Sequence, residues 1–334
     1  MRIPYRRMEE TLRSLFLQYR FPLPKARLLA RIHTESTLIG VNSHGLNRVP
    51  SFIEYIRQGV VRVDAEAEPV EAFGTIERWD GRAGPGVINA TTCTDRAIAL
   101  ARQHGIGLVA LRNTNHWMRA GTYGRQAAEA GCVAILFTNT TPNMPPWGGR
   151  ESRLGNNPLV IAVPRTDGNV VLDMALSQFS FGAVHNHHLK GEALPFFGGW
   201  DADHNLTKDP AQILTTMRGL PIGYWKGSAL SMVLDMVATL LSAGQSTYRI
   251  GQSAHERGVS QVFLCISAER FGDGALEQRL LQEIIDYTHA VSPREPGGRT
   301  YYPGERSREI RKKNLAEGIP VDRSVWEQVV ALVT

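Results

Sequence analysis

The sequence predicts an α/β protein, and two observations carry that reading. Amphipathic helical repeats open and close the chain, and between them short Val, Ile and Leu runs alternate with further helical patterns. Its 334 residues suit one large domain or two modest ones.

The elements follow in order. Met8, Leu12, Leu15, Phe16 and Tyr19 recur at helical spacing, as do Leu28, Leu29, Ile32 and Leu38 before Gly40. NSHGLNR, residues 42–48, is expected to begin a third helix that continues through Phe52, Tyr55 and Ile56 and stops at Gly59. From about residue 70 the pattern changes. Buried strands are expected at 107–113, 132–139, 159–164, 169–175 and 259–266, where the runs are apolar and short. Helices are expected at 94–105, 123–131, 228–243 and 276–290. A Pro/Gly-rich stretch, SPREPGGRTYYPGERS, precedes two last helical patterns. The expected organisation is a discontinuous, mainly helical region, 1–70 with 295–334, around an α/β core at 71–294.

Composition narrows the function. With 43% hydrophobic and 21% charged residues the chain reads as globular. Its longest apolar run, ALSMVLDMVATLL, is too short to cross a bilayer and carries Asp235. The opening MRIPYRRMEE lacks a secretory apolar run, so a cytoplasmic enzyme is expected. Cys93, Cys132 and Cys265 stand far apart, which argues against a disulfide framework and a zinc ribbon. The net charge of +5 is scattered, so no nucleic-acid footprint is indicated, though it suits an anionic cofactor and substrate.

Two tempting motifs fail. Gly105, Gly107 and Ala110 satisfy G-x-G-x-x-A, but a helix precedes them and a strand follows, the reverse of the dinucleotide-binding order. His185, His187 and His188 have no acidic or cysteine companion at ligand spacing, so they read as solvated histidines in a polar turn and no metal site is expected.

The chemistry begins at NSHGLNR. On a helix, His44 and Arg48 would share a face. An imidazole passes a proton near neutral pH and a guanidinium grips a carboxylate by two hydrogen bonds, a pair that suits reduction of a keto acid. The same spacing also fits an ordinary surface helix. His44 is expected near the helix start, where the dipole lowers its pKa. A glycine- and proline-rich loop between Asn139 and Leu159 is unusually long for a connection, and such loops commonly carry function.

SHGLNRVPSF, NTNHWMRAGTYGRQAAEAG, TNTTPNMPPWGGRESRLGNNPLVIAVP, LDMALSQFSFG, GGWDADHNLTKDP, GYWKGSALSMVLDMVATLLS and PGERS together resemble the type 2 malate/L-lactate dehydrogenase family of NAD(P)-dependent 2-keto-acid reductases. The resemblance runs along nearly the whole chain, in order. NHWMRAGTYG and MPPWGG look most like the branch that reduces 2,3-diketo-L-gulonate.

The resemblance implies a non-Rossmann NAD(P)-binding fold, a large mixed β-sheet with surrounding helices, and an active site at a homodimer interface. It puts the proton donor on His44 and the substrate carboxylate on Arg48, with Asn115, His116 and Arg119 as further substrate contacts and Trp117 as a pocket wall. It puts cofactor contacts, with NADH preferred, on Asp173, Met174, Ala175, Leu176 and Ser177, on Trp225 and Lys226, and on Gly304, Glu305 and Arg306. Read without the family, Asp173 also reads as a helix cap, Trp225 as core, Lys226 as a solvated charge and His116 as a packed or capping ring. The chain departs from the family's pattern at GNNP and lacks a lysine after the LDMALS segment, which leaves NADH against NADPH open. Other 2-keto acids of malate, lactate, ureidoglycolate or sulfolactate type, or a cyclic imino acid, fit the same pair. A non-catalytic ligand- or metal-binding protein on this fold is the remaining alternative.

Overall fold

The computed structural model describes residues 1–271 and 274–333. A short strand β1 (Arg2–Ile3) leads into helix α1 (Tyr5–Gln18), which buries Met8, Leu12, Leu15 and Phe16 on one face, and then α2 (Leu23–Leu38). Each of these helices starts directly after a proline, Pro4 or Pro22, whose fixed φ suits the entry. The expected helix start at NSHGLNR is not there. Two separate 3₁₀ turns, Asn42–His44 and Leu46–Arg48, precede α3 (Val49–Arg57). Gly45, at φ −115° and ψ −123°, breaks the path between them.

The exposed strand β2 (Glu68–Phe73) and β3 (Ile76–Asp80) were not expected. EPVEAF and IERWD carry too many polar positions to stand out as apolar runs. Helix α4 (Gly86–His104) then crosses to β4 (Ile106–Thr114). Gly105, in the left-handed region at φ +91°, caps α4. A Cβ at Gly107 would lie 2.4 Å from the Ala97 carbonyl oxygen. Helix capping and close packing thus explain both glycines of the G-x-G pattern.

The chain continues through α5 (Gly121–Glu129), β5 (Cys132–Thr138), β6 (Leu159–Val163) and β7 (Val170–Met174). An excursion follows, built from α6 (Phe181–Lys190), β8 (Gly199–Trp200), β9 (Leu206–Thr207) and α7 (Pro210–Thr216). The histidine cluster therefore lies on a helix and not in a polar turn. Ser180 Oγ accepts from Ala183 N at the start of α6, and Gly191 at φ +68° ends it, caps that outweigh the weak helix propensity of the histidines between. The chain returns through α8 (Trp225–Ser242), α9 (Thr247–Ile250), β10 (Val259–Ser267) and α10 (Gly274–His289), and ends with α11 (Glu305–Glu317), β11 (Ile319–Pro320) and α12 (Arg323–Ala331).

Among the described residues, seven strands form the main sheet in the order β2-β3-β4-β10-β5-β6-β7, parallel only between β3 and β4. Central β10 shows why the strand runs read as they do. Its Phe263 and Cys265 pack with Val109, Leu111, Ala134 and Leu136 beneath α4 and α5, while Val262 faces Leu234 and Ala238 of α8. With both faces covered, burial is continuous rather than alternating. Phe263 is fully buried, and its truncation to alanine would cost about 3–5 kcal/mol. A separate cluster gathers Met8, Phe16, Leu29 and Phe52 with Ile319, Trp326 and Val329, so the two ends of the chain share one core. Strands β1 and β11 pair antiparallel across it. Among the described residues, no helix is long and apolar enough to cross a membrane.

Candidate active site

The turn after α2 delivers His44. Its backbone N donates to the Val41 carbonyl at 3.1 Å, and its Nδ1 stands 3.0 Å from Ser43 Oγ. From the far side comes His116, just past β4. Asn115 anchors that segment, its Nδ2 donating to the carbonyls of Val60, Ala83 and Gly84 at 3.2, 2.9 and 3.0 Å. Backbone at positive φ on both sides, Asn113 at 52° and Met118 at 61°, turns the segment sharply, and Met118 N donates to His116 Nδ1 at 2.9 Å. That bond requires an unprotonated Nδ1, so the ring is neutral with its proton on Nε2. The rings of His44 and His116 stack with centroids 5.6 Å apart.

Both imidazoles are held neutral. Burial lowers His44 to about 4; Asp173 pulls the value up, and Arg48 and Arg119 push it down. The cause is chiefly desolvation and not the helix dipole expected from the sequence, because no α-helix starts at His44. Burial also holds His116 well below the ordinary imidazole value, with Arg48 and His44 adding to the effect.

Asp173, near the end of β7, organises the opposite wall. It accepts from Gly121 N at 2.8 Å and stands 3.6 Å from Arg119 Nε. A Cβ at Gly121 would lie 2.7 Å from that carboxylate oxygen, so glycine is what lets α5 start against β7. Arg48 is half-buried, and among the described residues no carboxylate lies within 4.0 Å of it. A guanidinium in that position is ready for an anion from outside the chain.

These groups border a cleft of about 570 Å³ lined by His44, His116, Trp117, Arg119, Asp173, Ala175, Gly304 and Arg306. Trp117 is both wall and core, buried against Tyr123 and Phe263 with ring centroids 5.9 Å away in each case. Other expected residues stand outside the lining. Arg48 lies close enough to act on both histidines but does not border the cleft, and Asn115 is buried behind it. Met174, Leu176 and Ser177 flank Ala175; Leu176 is core, and Ser177 Oγ donates to the Phe179 carbonyl. Glu305 turns inward, accepting from Tyr302 N at 3.1 Å and Arg299 Nη2 at 2.6 Å. Trp225 and Lys226 are exposed at the start of α8.

The sequence reading missed Ser43, Thr140, Asn156, Ser180, Tyr301 and Tyr302, which also line the cleft. Most sit inside stretches already singled out, such as SHG, GNNP and RTYYPGERS, but no periodicity says which side chain of a loop turns toward a cavity.

Residues 3–330 match the family described as malate/L-lactate dehydrogenase. The chain belongs to that family. This dehydrogenase is an oxidoreductase of keto acids and the corresponding hydroxy acids, and the family implies a nicotinamide cofactor. It is 42% identical over 333 residues, 99% of this chain and 100% of the relative, to 2,3-diketo-L-gulonate reductase of Citrobacter koseri. Its fold is that of malate dehydrogenase from Pyrococcus horikoshii (TM-score 0.90, 27% identity, covering 100% and 95% of the two chains). It matches delta1-piperideine-2-carboxylate reductase from Pseudomonas syringae with a TM-score of 0.87 and 26% identity over 99% of both chains.

The cleft of the dehydrogenase suits such a cofactor. Gly304, at φ +96°, lets the Pro303 carbonyl accept from Val171 N at 2.9 Å, and a Cβ there would lie 3.3 Å from that nitrogen. Hydroxyl-bearing Thr140, Ser180, Tyr301 and Tyr302, with the guanidinium of Arg306, border the space beside it. This donor-rich, positively charged wall fits phosphate and ribose groups.

Proposed function

We propose that the chain reduces 2,3-diketo-L-gulonate to 3-dehydro-L-gulonate with NADH. The observation that carries the chemistry is the stacked His44 and His116 facing Arg119 and Asp173 across one cleft. The substrate reading rests on the relative 42% identical along the full chain. When bound, the nicotinamide supplies a hydride to the C2 keto carbon. His44 gives its proton to the oxygen as negative charge grows there. Arg48, with no carboxylate within 4.0 Å among the described residues, receives the substrate's C1 carboxylate and fixes which carbonyl is presented. Neutral His116 donates from Nε2 to a substrate oxygen, Arg119 donates to the polar tail, and Asp173 holds Arg119 in place. The substrate carboxylate also offsets Arg48, which favours the charged form of His44 once substrate is bound.

Cofactor contacts are assigned to 173–177 and 304–306, with Asp173, Ala175, Gly304 and Arg306 on the cleft wall and their neighbours shaping it. We assign a homodimer on the exposed α8 face, where Met232, Met236 and Leu240 follow at one-turn spacing and are 46%, 58% and 74% accessible. The cofactor role of exposed Trp225 and Lys226 depends on that second copy. Sedimentation giving a fully active monomer would remove the dimer. The shared core of the chain's two ends supports treating 1–70 with 295–334 as one helical unit beside a core at 71–294, and we place the enzyme in the cytoplasm.

The test is a panel of 2-keto acids and cyclic imino acids with NADH and NADPH. The highest kcat/KM is expected for 2,3-diketo-L-gulonate with NADH. A tenfold better simple keto acid or imino acid would overturn the substrate, and no turnover on the whole panel would overturn catalysis.

A further inference from the structure

His33 has no part in the proposed reaction, yet it is fully buried one element before the proposed proton donor. Its ring packs on Phe16 and Phe52 with centroids 5.8 and 5.9 Å away. Nδ1 stands 3.3 Å from the Gly45 carbonyl oxygen, and Nε2 has no hydrogen-bond partner among the described residues. Burial, opposed by the bond to Gly45, lowers its pKa to about 4. The ring is therefore neutral, and a proton on Nδ1 makes the bond to Gly45 while leaving Nε2 a bare acceptor.

One helical turn further, buried Thr37 acts on the same segment. Its Oγ1 donates to the His33 carbonyl at 2.8 Å and accepts from Leu46 N at 2.8 Å. Gly45 sits between these two residues with no room to spare. A Cβ there would lie 2.3 Å from Thr37 Oγ1 and 2.9 Å from the His33 carbonyl oxygen. The Gly45 carbonyl accepts from Arg48 N at 3.1 Å as well as facing His33. Two single 3₁₀ turns joined by a glycine at φ −115° and ψ −123° hold each other poorly, because no continuous helical ladder runs through them. Bonds from α2, buried where water cannot compete, supply the missing constraint.

We propose that His33 and Thr37 form a clamp on the Gly45–Leu46 peptide that fixes the placement of His44 relative to Arg48. They are positioning residues, and the role rests on the reading of His44 and Arg48 given above. A shift of about 1 Å in reacting geometry can cost roughly a hundredfold in rate.

The test compares Thr37→Val, which keeps the shape and removes Oγ1, with Thr37→Ser, which restores it. Thr37→Val is expected to lower kcat/KM for the best keto acid by roughly tenfold to a hundredfold, while the NADH dissociation constant from fluorescence titration stays within about twofold. Thr37→Ser should recover most of the loss. Wild-type kcat/KM in Thr37→Val would overturn the clamp. So would a loss shared equally by keto-acid turnover and NADH affinity, which is the pattern of general unfolding. Imidazole NMR on the ligand-free protein, with His44 assigned through His44→Gln, gives a readout that needs no substrate. Burial, then Asp173, Arg48 and Arg119, set the titration of His44, whose ring stacks on His116, so a displaced ring should titrate differently in Thr37→Val and normally in Thr37→Ser. If the wild type reduces no keto acid, the functional reading falls and this titration alone decides the clamp: an unshifted His44 in Thr37→Val overturns it.

Discussion

Two groups of histidines show how differently one residue type is used in this chain. His185, His187 and His188 lie almost adjacent on α6, and no group of three or more side chains that could hold a metal ion occurs among the described residues. His44 and His116 are far apart in sequence, yet their rings stack in a cleft and burial drives both pKa values down. Closeness along the chain is therefore the weaker sign of chemistry. What perturbs an imidazole is lost water and neighbouring guanidinium groups.

The largest expected effect comes from removing the buried donor. His44→Ala should slow reduction by roughly a hundredfold or more, in line with general-acid contributions, with NADH affinity nearly intact. In the wild type, kcat/KM for reduction should fall as pH rises, because the imidazolium is the acid. For oxidation it should fall as pH is lowered, because the neutral ring is the base. Both profiles should report one apparent pKa below the ordinary 6.5, toward the value of about 4 set by burial. If His44→Ala keeps the wild-type rate and profile, the proton comes from elsewhere, and His116 is the next residue to replace.

Arg48→Lys sharpens the comparison by keeping charge and removing the planar fork. Keto-acid KM should rise by about tenfold and kcat should fall with it, since the bidentate grip sets both affinity and alignment. Unchanged steady-state kinetics would take Arg48 out of the site.

A smaller, whole-molecule effect should appear in acid. His33, His44 and His116 are depressed in the folded chain, so below about pH 6.5 the unfolded chain takes up protons that the folded one refuses. Stability is then fully present above pH 6.5 and lost as pH falls toward 4. Thermal melts that hold constant from pH 7 to 4.5 would contradict the burial of these rings. The smallest effect belongs to α6: His187→Ala with His188→Ala should leave kcat/KM within about twofold, since nothing in the proposed reaction uses them. A tenfold loss would erase the distinction between the two groups.

Much of the framework was legible in the sequence. The five strands were readable from their Val-, Ile- and Leu-rich runs, most clearly in β10, where Val262–Ile266 is apolar without a break beneath cover on both faces. The opening helices were readable because Met8, Leu12, Leu15 and Phe16 repeat with the helical period. Strands β2 and β3 escaped because their polar, largely exposed side chains carry no such signal, and α6 because its caps rather than its histidines define it. The family resemblance supplied His44, His116, Arg119 and Asp173 as separate candidates. Only the tertiary structure decided how they meet. The break at Gly45 replaces the expected shared helix face with two turns held by α2, and the left-handed backbone at Asn113 and Met118 swings His116 over His44. Those outcomes depend on long-range contacts, on Thr37 Oγ1 meeting Leu46 N and Asn115 reaching Val60, Ala83 and Gly84. A periodic pattern reports which face of an element is buried; it holds no information about which distant backbone group satisfies a buried amide, and here those satisfactions aim the side chains.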